Sequence, residues 1–172
     1  MSRVASGSRL PQRFDREALE AAGFTGFLPV AQLRRSLAEV PLAGGVYVVV
    51  RPSTEAPHFR VVGSGGRFKG EDPNVPLAPL RAKWVPGAAV VYIGKAGSLS
   101  ERVGSLIAFG AGHAAAHRGG RYVWQLADAA DLVVAWRPED EPERAEAVLV
   151  DAFRAQHGVL PFANLRAGMR ER

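Results

Sequence analysis

A chain of 172 residues is long enough to bury one substantial core and short for two, so a single domain with extensions is expected. Lys and Arg number 22 against 17 acidic residues, and the formal charge of +5 with a pI near 10.2 suits a polyanionic partner as well as plain solubility. The lack of cysteine excludes disulfides, thiolate nucleophiles and Cys-ligated zinc; with no apolar signal region in "MSRVASGSRLPQRF" and no apolar stretch of spanning length, a cytoplasmic protein without a membrane partner is expected.

Residues 1–14 are polar, Arg-bearing and aperiodic, which reads as a mobile basic arm. Residues 15–43 read as an N-terminal helical extension, "DREALEAAGF" followed by "PVAQLRRSLAEV", the latter with Val30, Leu33, Leu37 and Val40 at helical spacing. "GGVYVVV" (44–50) and "AAVVYIG" (88–94) are β-branched runs bounded by turn residues, the two central strands. Between them, residues 51–87 are rich in Pro and Gly, with one strand candidate in "FRVV" (59–62) and a glycine-dense "GSGGRFKG" (63–70), and read as an insertion on the sheet. "SLSE" opens a helix with Ser98 as N-cap and Glu101 as its reciprocal partner; Leu99, Val103, Leu106 and Ile107 form the apolar face, and the helix ends near Phe109 and Gly110. "RYVWQL" (121–126) fits helix or strand, and "DLVVAW" (131–136) is a strand. "EPERAEAVLVDAFRAQHG" is a helix, acidic at its start and stopped at Gly158, followed by "VLPFAN" and a basic tail at 165–172. The expected class is α+β: a small, mainly antiparallel three-stranded sheet flanked by helices, with the helical extension before it and the insertion between its first two strands.

"GAAVVYIGKA" contains the glycines and lysine of a phosphate-cradling loop, but six residues separate Gly87 from Gly94 where that loop has four, and Ala96 replaces its metal-binding hydroxyl. A different chemistry starts from Tyr47 and Tyr92. If their strands pair, the two phenols can share one face, and Gly94 would let the chain turn off the strand so that Tyr92 and Lys95 meet at one site. Arg102 lies one helical turn past Ser98, beside Leu106 and Phe109 rather than on the exposed side. Glu146 precedes Leu149, Val150 and Phe153 at i+3, i+4 and i+7, so its carboxylate projects from a core-facing surface, where carboxylates occur when paired or metal-bound. Glu143 on the flank is the reserve, and Asp151 faces solvent. The amide of Asn164 in "PFAN" can hold a phosphate or tie down its loop. His113 and His117 have the spacing of a helical metal pair with no third ligand near in sequence, and "HRGGR" (117–121) reads better as a solvated or phosphate-contacting loop.

Taken in order, "GVY" at 45–47, "YIG" at 92–94, Lys95 and Arg102 in "YIGKAGSLSER", Glu146 in "EAVLV" and Asn164 in "PFAN" resemble the GIY-YIG nuclease superfamily over residues 44–164. The resemblance implies a nuclease-like domain over those residues, with Tyr47, Tyr92, Lys95, Arg102, Glu146 and Asn164 as the catalytic set. It also implies Glu146 as ligand of Mg²⁺ or Mn²⁺, and a DNA substrate whose strandedness or branching it leaves open, as it leaves RNA. Arg67, Lys69, Arg118 and Arg121 are the candidate nucleic-acid contacts, and the protein is expected as monomer or homodimer. Two departures stand out: the insertion at 51–87 is long, and Leu106 occupies a position that is often aromatic or His in the family, so His113 or His117 would serve as auxiliary. A phenol that is to act as base near neutrality needs a downward shift of about three units, on the order of 4 kcal/mol, for which Lys95, Arg102 and the metal are the available charges. The rival readings are a non-catalytic nucleic-acid-binding module of the same fold and a nucleotide binder using "GSGGRFKG" as a phosphate nest.

Overall fold

Four β-rich runs pair into one antiparallel sheet in the computed structural model, which describes residues 9–165, the side chain of Arg118 excepted. Of the expected arm at 1–14 and tail at 165–172, residues 1–8 and 166–172 lie outside the described residues, as does the Arg118 side chain, whereas residues 9–14 pack on the body, with Phe14 buried against Phe153 and the Arg9 carbonyl bonded to Arg137. Along the chain run α1 (Arg16–Ala21), β1 (Thr25–Pro29), α2 (Val30–Arg35), β2 (Gly45–Val50), α3 (Leu77–Lys83), β3 (Val90–Ala96), α4 (Leu99–Gly110), β4 (Val133–Pro138) and α5 (Pro142–His157). The spatial strand order is β1-β4-β2-β3.

β2 lies between two neighbours and is buried at all six positions, which explains its unbroken "VYVVV". Its register sets Tyr47 opposite Gly94 on β3 and Trp136 on β4, and Val49 opposite Tyr92 and Val134. One face of the sheet thus carries Tyr47, Val49, Tyr92 and Trp136, packed against Leu33 of α2 and Leu99, Val103 and Leu106 of α4. The other carries Val46, Val48, Ile93 and Ala135, packed against Leu19 of α1 and Leu149, Val150 and Phe153 of α5. The α+β class is as expected, and α4 and α5 fall where periodicity puts them; Ser98 accepts the Glu101 N–H at 3.4 Å, and Gly158 closes α5 at φ 76.

The sheet has four strands, not three. The additional strand, β1, lies inside the stretch expected to be helical, where Gly23 and Gly26 adopt φ of 92 and 91 and break the helical path. Gly26 leaves room for the Trp136 ring, so a contact with a distant strand outweighs the local period. α2 accordingly stops at Arg35, and Val40 reaches the core from a turn. "FRVV" forms no strand: Phe59 makes a single bridge to Leu126, while Val61 and Val62 are exposed. "RYVWQL" is neither α-helix nor strand but the end of a 3-10 segment, Arg118–Gln125. The insertion is pinned to that segment by Gln125, which accepts from Val75 N–H at 2.9 Å and donates to the carbonyls of Val75 and Arg60 at 2.9 and 3.1 Å. No helix among the described residues is long and apolar enough to cross a membrane.

Gly94 does not turn the chain off the sheet. β3 continues to Ala96, so Tyr92 and Lys95, three residues apart, point to opposite faces. Gly94 is required because the Tyr47 ring lies directly on it, in the space a Cβ would fill. Gly94→Ala is expected to cost about 1–3 kcal/mol in a denaturant titration through overpacking. Gly97→Ala, where an added Cβ meets nothing within 4 Å, should stay within about 0.5 kcal/mol of wild type.

Candidate active site

Two phenols, an imidazole and a guanidinium meet on one face of β2 and β3, and a carboxylate on α5 lies close enough to act electrostatically on Tyr92 and Arg102. Alternation along β2 and β3 turns Tyr47 and Tyr92 to the same face, with ring centroids 6.0 Å apart. The segment after α4 lays His117 against both, its ring 6.0 Å from Tyr47 and 5.6 Å from Tyr92. Tyr47 Oη and His117 Nε2 are 2.6 Å apart, and both residues are fully buried. Glycine makes this approach feasible, since a Cβ on Gly120 would stand 3.1 Å from the His117 ring.

Electrostatics follow from burial. Desolvation pushes the Tyr47 hydroxyl well above its usual pKa of 10, with Tyr92 adding and Arg102 opposing. Tyr92 is also raised by burial, and the Arg102 charge opposes this. Desolvation, helped by Arg102, lowers the His117 imidazole to about 3, so the ring is neutral near pH 7. In the tautomer with its proton on Nδ1, His117 accepts from the Tyr47 hydroxyl; Nδ1 itself is buried without a partner among the described residues.

Arg102 is half-buried on α4 and donates from Nη1 to the Ala116 carbonyl. Glu146, half-buried on α5, has its carboxyl pKa raised by desolvation, Lys95 opposing, Glu143 adding and Arg102 opposing. Lys95 lies on the α5 side of β3, 3.5 Å from the exposed Glu143. Asn164 is not free to hold a phosphate: its Oδ1 accepts the Ile93 N–H at 3.0 Å, its Nδ2 donates to the Ile93 carbonyl at 2.9 Å, and its own carbonyl accepts from Lys83 Nζ at 2.9 Å. Of the two readings for this residue, tying down the loop is the one observed, and what it ties is the strand bearing Tyr92.

His113 is exposed and His117 spends Nε2 on Tyr47, so the helical metal pair does not form. Among the described residues no group of three or more His, Asp or Glu side chains is arranged to hold a metal ion. The donor set present is one half-buried carboxylate, Glu146, with Glu143 near enough to raise its pKa. That fits a hydrated Mg²⁺ or Mn²⁺ keeping most of its waters, and does not fit zinc. Arg67 is exposed and 3.6 Å from Asp72, Lys69 lies over the Phe68 ring, and Arg121 lies over Tyr122. Sequence reasoning missed the Ala116 carbonyl and the Gly119 and Gly120 backbone, because backbone groups in an irregular segment leave no side-chain signature; the glycine pair in "HRGGR" was the available hint. Comparison of the chain with protein-family models, with curated proteins and with solved structures found no match.

The buried imidazole carries a pH signature. Between pH 6.5 and about 3 the unfolded chain protonates His117 and the folded chain does not, so this group's contribution is complete above 6.5 and declines as pH falls through that window. Between pH 7 and 5 the wild type should lose about 2 kcal/mol more stability than His117→Phe, measured by denaturant unfolding of both at each pH. Parallel losses would show that His117 is protonated in the fold.

Proposed function

We propose that the chain is a divalent-metal-dependent nuclease that hydrolyses DNA phosphodiesters at the cluster of Tyr47, Tyr92, Arg102, His117 and Glu146. The observation that carries this reading is the convergence itself: two strands, α4 and the segment after it bring a phenol pair, a neutral imidazole and a cation together, with a half-buried carboxylate of α5 in electrostatic reach. Elements of a purely structural core seldom share such a set.

Each group has work it can do from where it stands. Once the site admits water, a water beside Tyr47 would give its proton to the phenol oxygen as the phenol passes its own to His117 Nε2 across 2.6 Å, so no free phenolate has to form in a site whose burial disfavours one. This replaces the three-unit shift that a lone tyrosine base would need with a demand on His117, which burial holds at about 3 in the closed site. Arg102 lies near enough to influence both phenols and Glu146, and its guanidinium suits a phosphate oxygen pair. Glu146 would hold the hydrated Mg²⁺ or Mn²⁺, which when bound supplies positive charge to the non-bridging and leaving oxygens. Lys95 opposes the burial of Glu146 and helps keep it ionised. Asn164 acts at a distance, holding β3 in register. Arg67, Lys69, Arg118 and Arg121 stay the proposed contacts to DNA backbone phosphates on their charge alone.

A second reading, binding without cleavage, is favoured by the raised phenols and the complete burial of Tyr47. The two are separated by incubating single-stranded, duplex, nicked and forked DNA with Mg²⁺ or Mn²⁺. Products should form with metal, disappear with Glu146→Ala at unchanged melting temperature, and fall about 10²- to 10³-fold with Arg102→Ala. Cleavage by Glu146→Ala at the wild-type rate rejects the nuclease; salt-sensitive binding with no product on any substrate selects the second reading.

A further inference from the structure

Residues 111–120, the link after α4 and the first turn of the 3-10 segment, cross the phenol pair as a strap. Much of the strap is exposed, His113 and Ala116 included, while His117 and Gly120 turn inward. Among the described residues the backbone hydrogen bonds of 113–117 are local: His113 to Ala108, Ala115 to His113 and His117 to Ala115. Side chains fasten the strap from beneath, the Arg102 guanidinium on the Ala116 carbonyl and the Tyr47 hydroxyl on His117, while Ala115 packs on the core and the Gly66 backbone of the insertion packs on His113. Gly119 and Gly120 then lie on Tyr92, where added Cβ atoms would stand 3.7 Å from its hydroxyl and 3.6 Å from its ring. Tyr47 is left 0% exposed and Tyr92 9%. Clefts of about 510, 380 and 850 Å³ open elsewhere, and none is lined by Tyr47, Tyr92, Arg102 or His117. With the strap in this position Tyr47 is closed to solvent and Tyr92 nearly so.

We propose that residues 111–120 form a lid latched by Arg102, and that a phosphodiester releases it by taking the guanidinium from the Ala116 carbonyl. The proposal rests on Arg102 being the phosphate clamp of the reading above. The competition favours the phosphate because Ala116 offers a neutral acceptor, whereas a phosphodiester presents two charged oxygens to the guanidinium fork. Gly112, at φ 94, gives the strap a pliable start. Once the strand is seated, the strap settles back with the phosphate in the place of the Ala116 carbonyl and His117 again on Tyr47. A loaded site also holds the attacking water beside that pair, which relieves the desolvation that keeps the imidazole a poor base in the closed, empty form. The latch therefore couples activation of the base to arrival of a phosphodiester.

The four histidines of the chain supply the readout, because His58 and His113 are exposed and His117 is not. Under diethylpyrocarbonate, followed residue by residue by mass spectrometry, His117 of the free wild type should label at least about tenfold more slowly than His58, as expected for reaction through a minor open state. Dimethyl phosphate, a phosphodiester too small to cover the site, should raise His117 labelling saturably, while sodium chloride at matched ionic strength should not. Arg102→Gln should label His117 quickly from the start and show no response to dimethyl phosphate. The wild-type titration needs no variant, so it decides even if Arg102→Gln folds poorly. His117 labelling that ignores dimethyl phosphate overturns release by a phosphodiester, and a folded Arg102→Gln in which His117 stays protected overturns the latch. Neither result depends on cleavage, so failure of the lid and failure of the nuclease reading are told apart.

Discussion

A tyrosine hydroxyl placed in the middle of an apolar sheet face must find a partner, and the 2.6 Å contact between Tyr47 and His117 is how this fold meets that demand. Much of the site's layout follows from it. The imidazole has to come from a segment that lies flat on the sheet, so the backbone next to it is glycine at 119 and 120. The phenol ring has to lie flat as well, so the strand across from it offers Gly94 rather than a side chain. Apolar neighbours then enclose the pair, and the same enclosure raises both phenols and lowers the imidazole.

Charge is distributed around this contact in two layers. Arg102 approaches from the α4 side and biases both phenols toward ionisation, whereas Lys95 and Glu143 stand on the α5 side and act on Glu146. β3 separates them, so one strand presents a phenol to one layer and an ammonium to the other. Arg102 reaches across as well, so Glu146 feels cations from both layers.

The elements legible in the sequence were those whose burial is periodic and local. β2, β3, α4 and α5 each bury a continuous run or a clean stripe, and the shared face of Tyr47 and Tyr92 followed from strand alternation alone. β1 is illegible because the left-handed backbone at Gly26 within it and Gly23 before it, and its pairing with β4, depend on a partner more than a hundred residues away, and nothing in a local window reports that. A turn at Gly94 would set Lys95 beside Tyr92, whereas the strand that continues through Gly94 sets it on the other side of β3. The role of Asn164 could be narrowed to two readings from "PFAN", but its choice of partner, both backbone groups of Ile93, needed the sheet edge to be known. The contact from Arg102 to Ala116 had no signature at all, since any residue supplies a carbonyl.

The Asn164 side chain stands in for a whole neighbouring strand, and this bears on how the protein keeps to itself in solution. β3 is an outer strand of uncharged, β-branched and aromatic residues up to Lys95, a sequence that would readily template a second copy. One amide at Ile93, with Ala163 bonded to the Val91 carbonyl, occupies the positions an incoming chain would need. A chain that ends before "PFAN" would lose a lock on the Tyr92 strand and also expose "VVYIG" to self-association, so solubility and the geometry of the site hang on the same few residues.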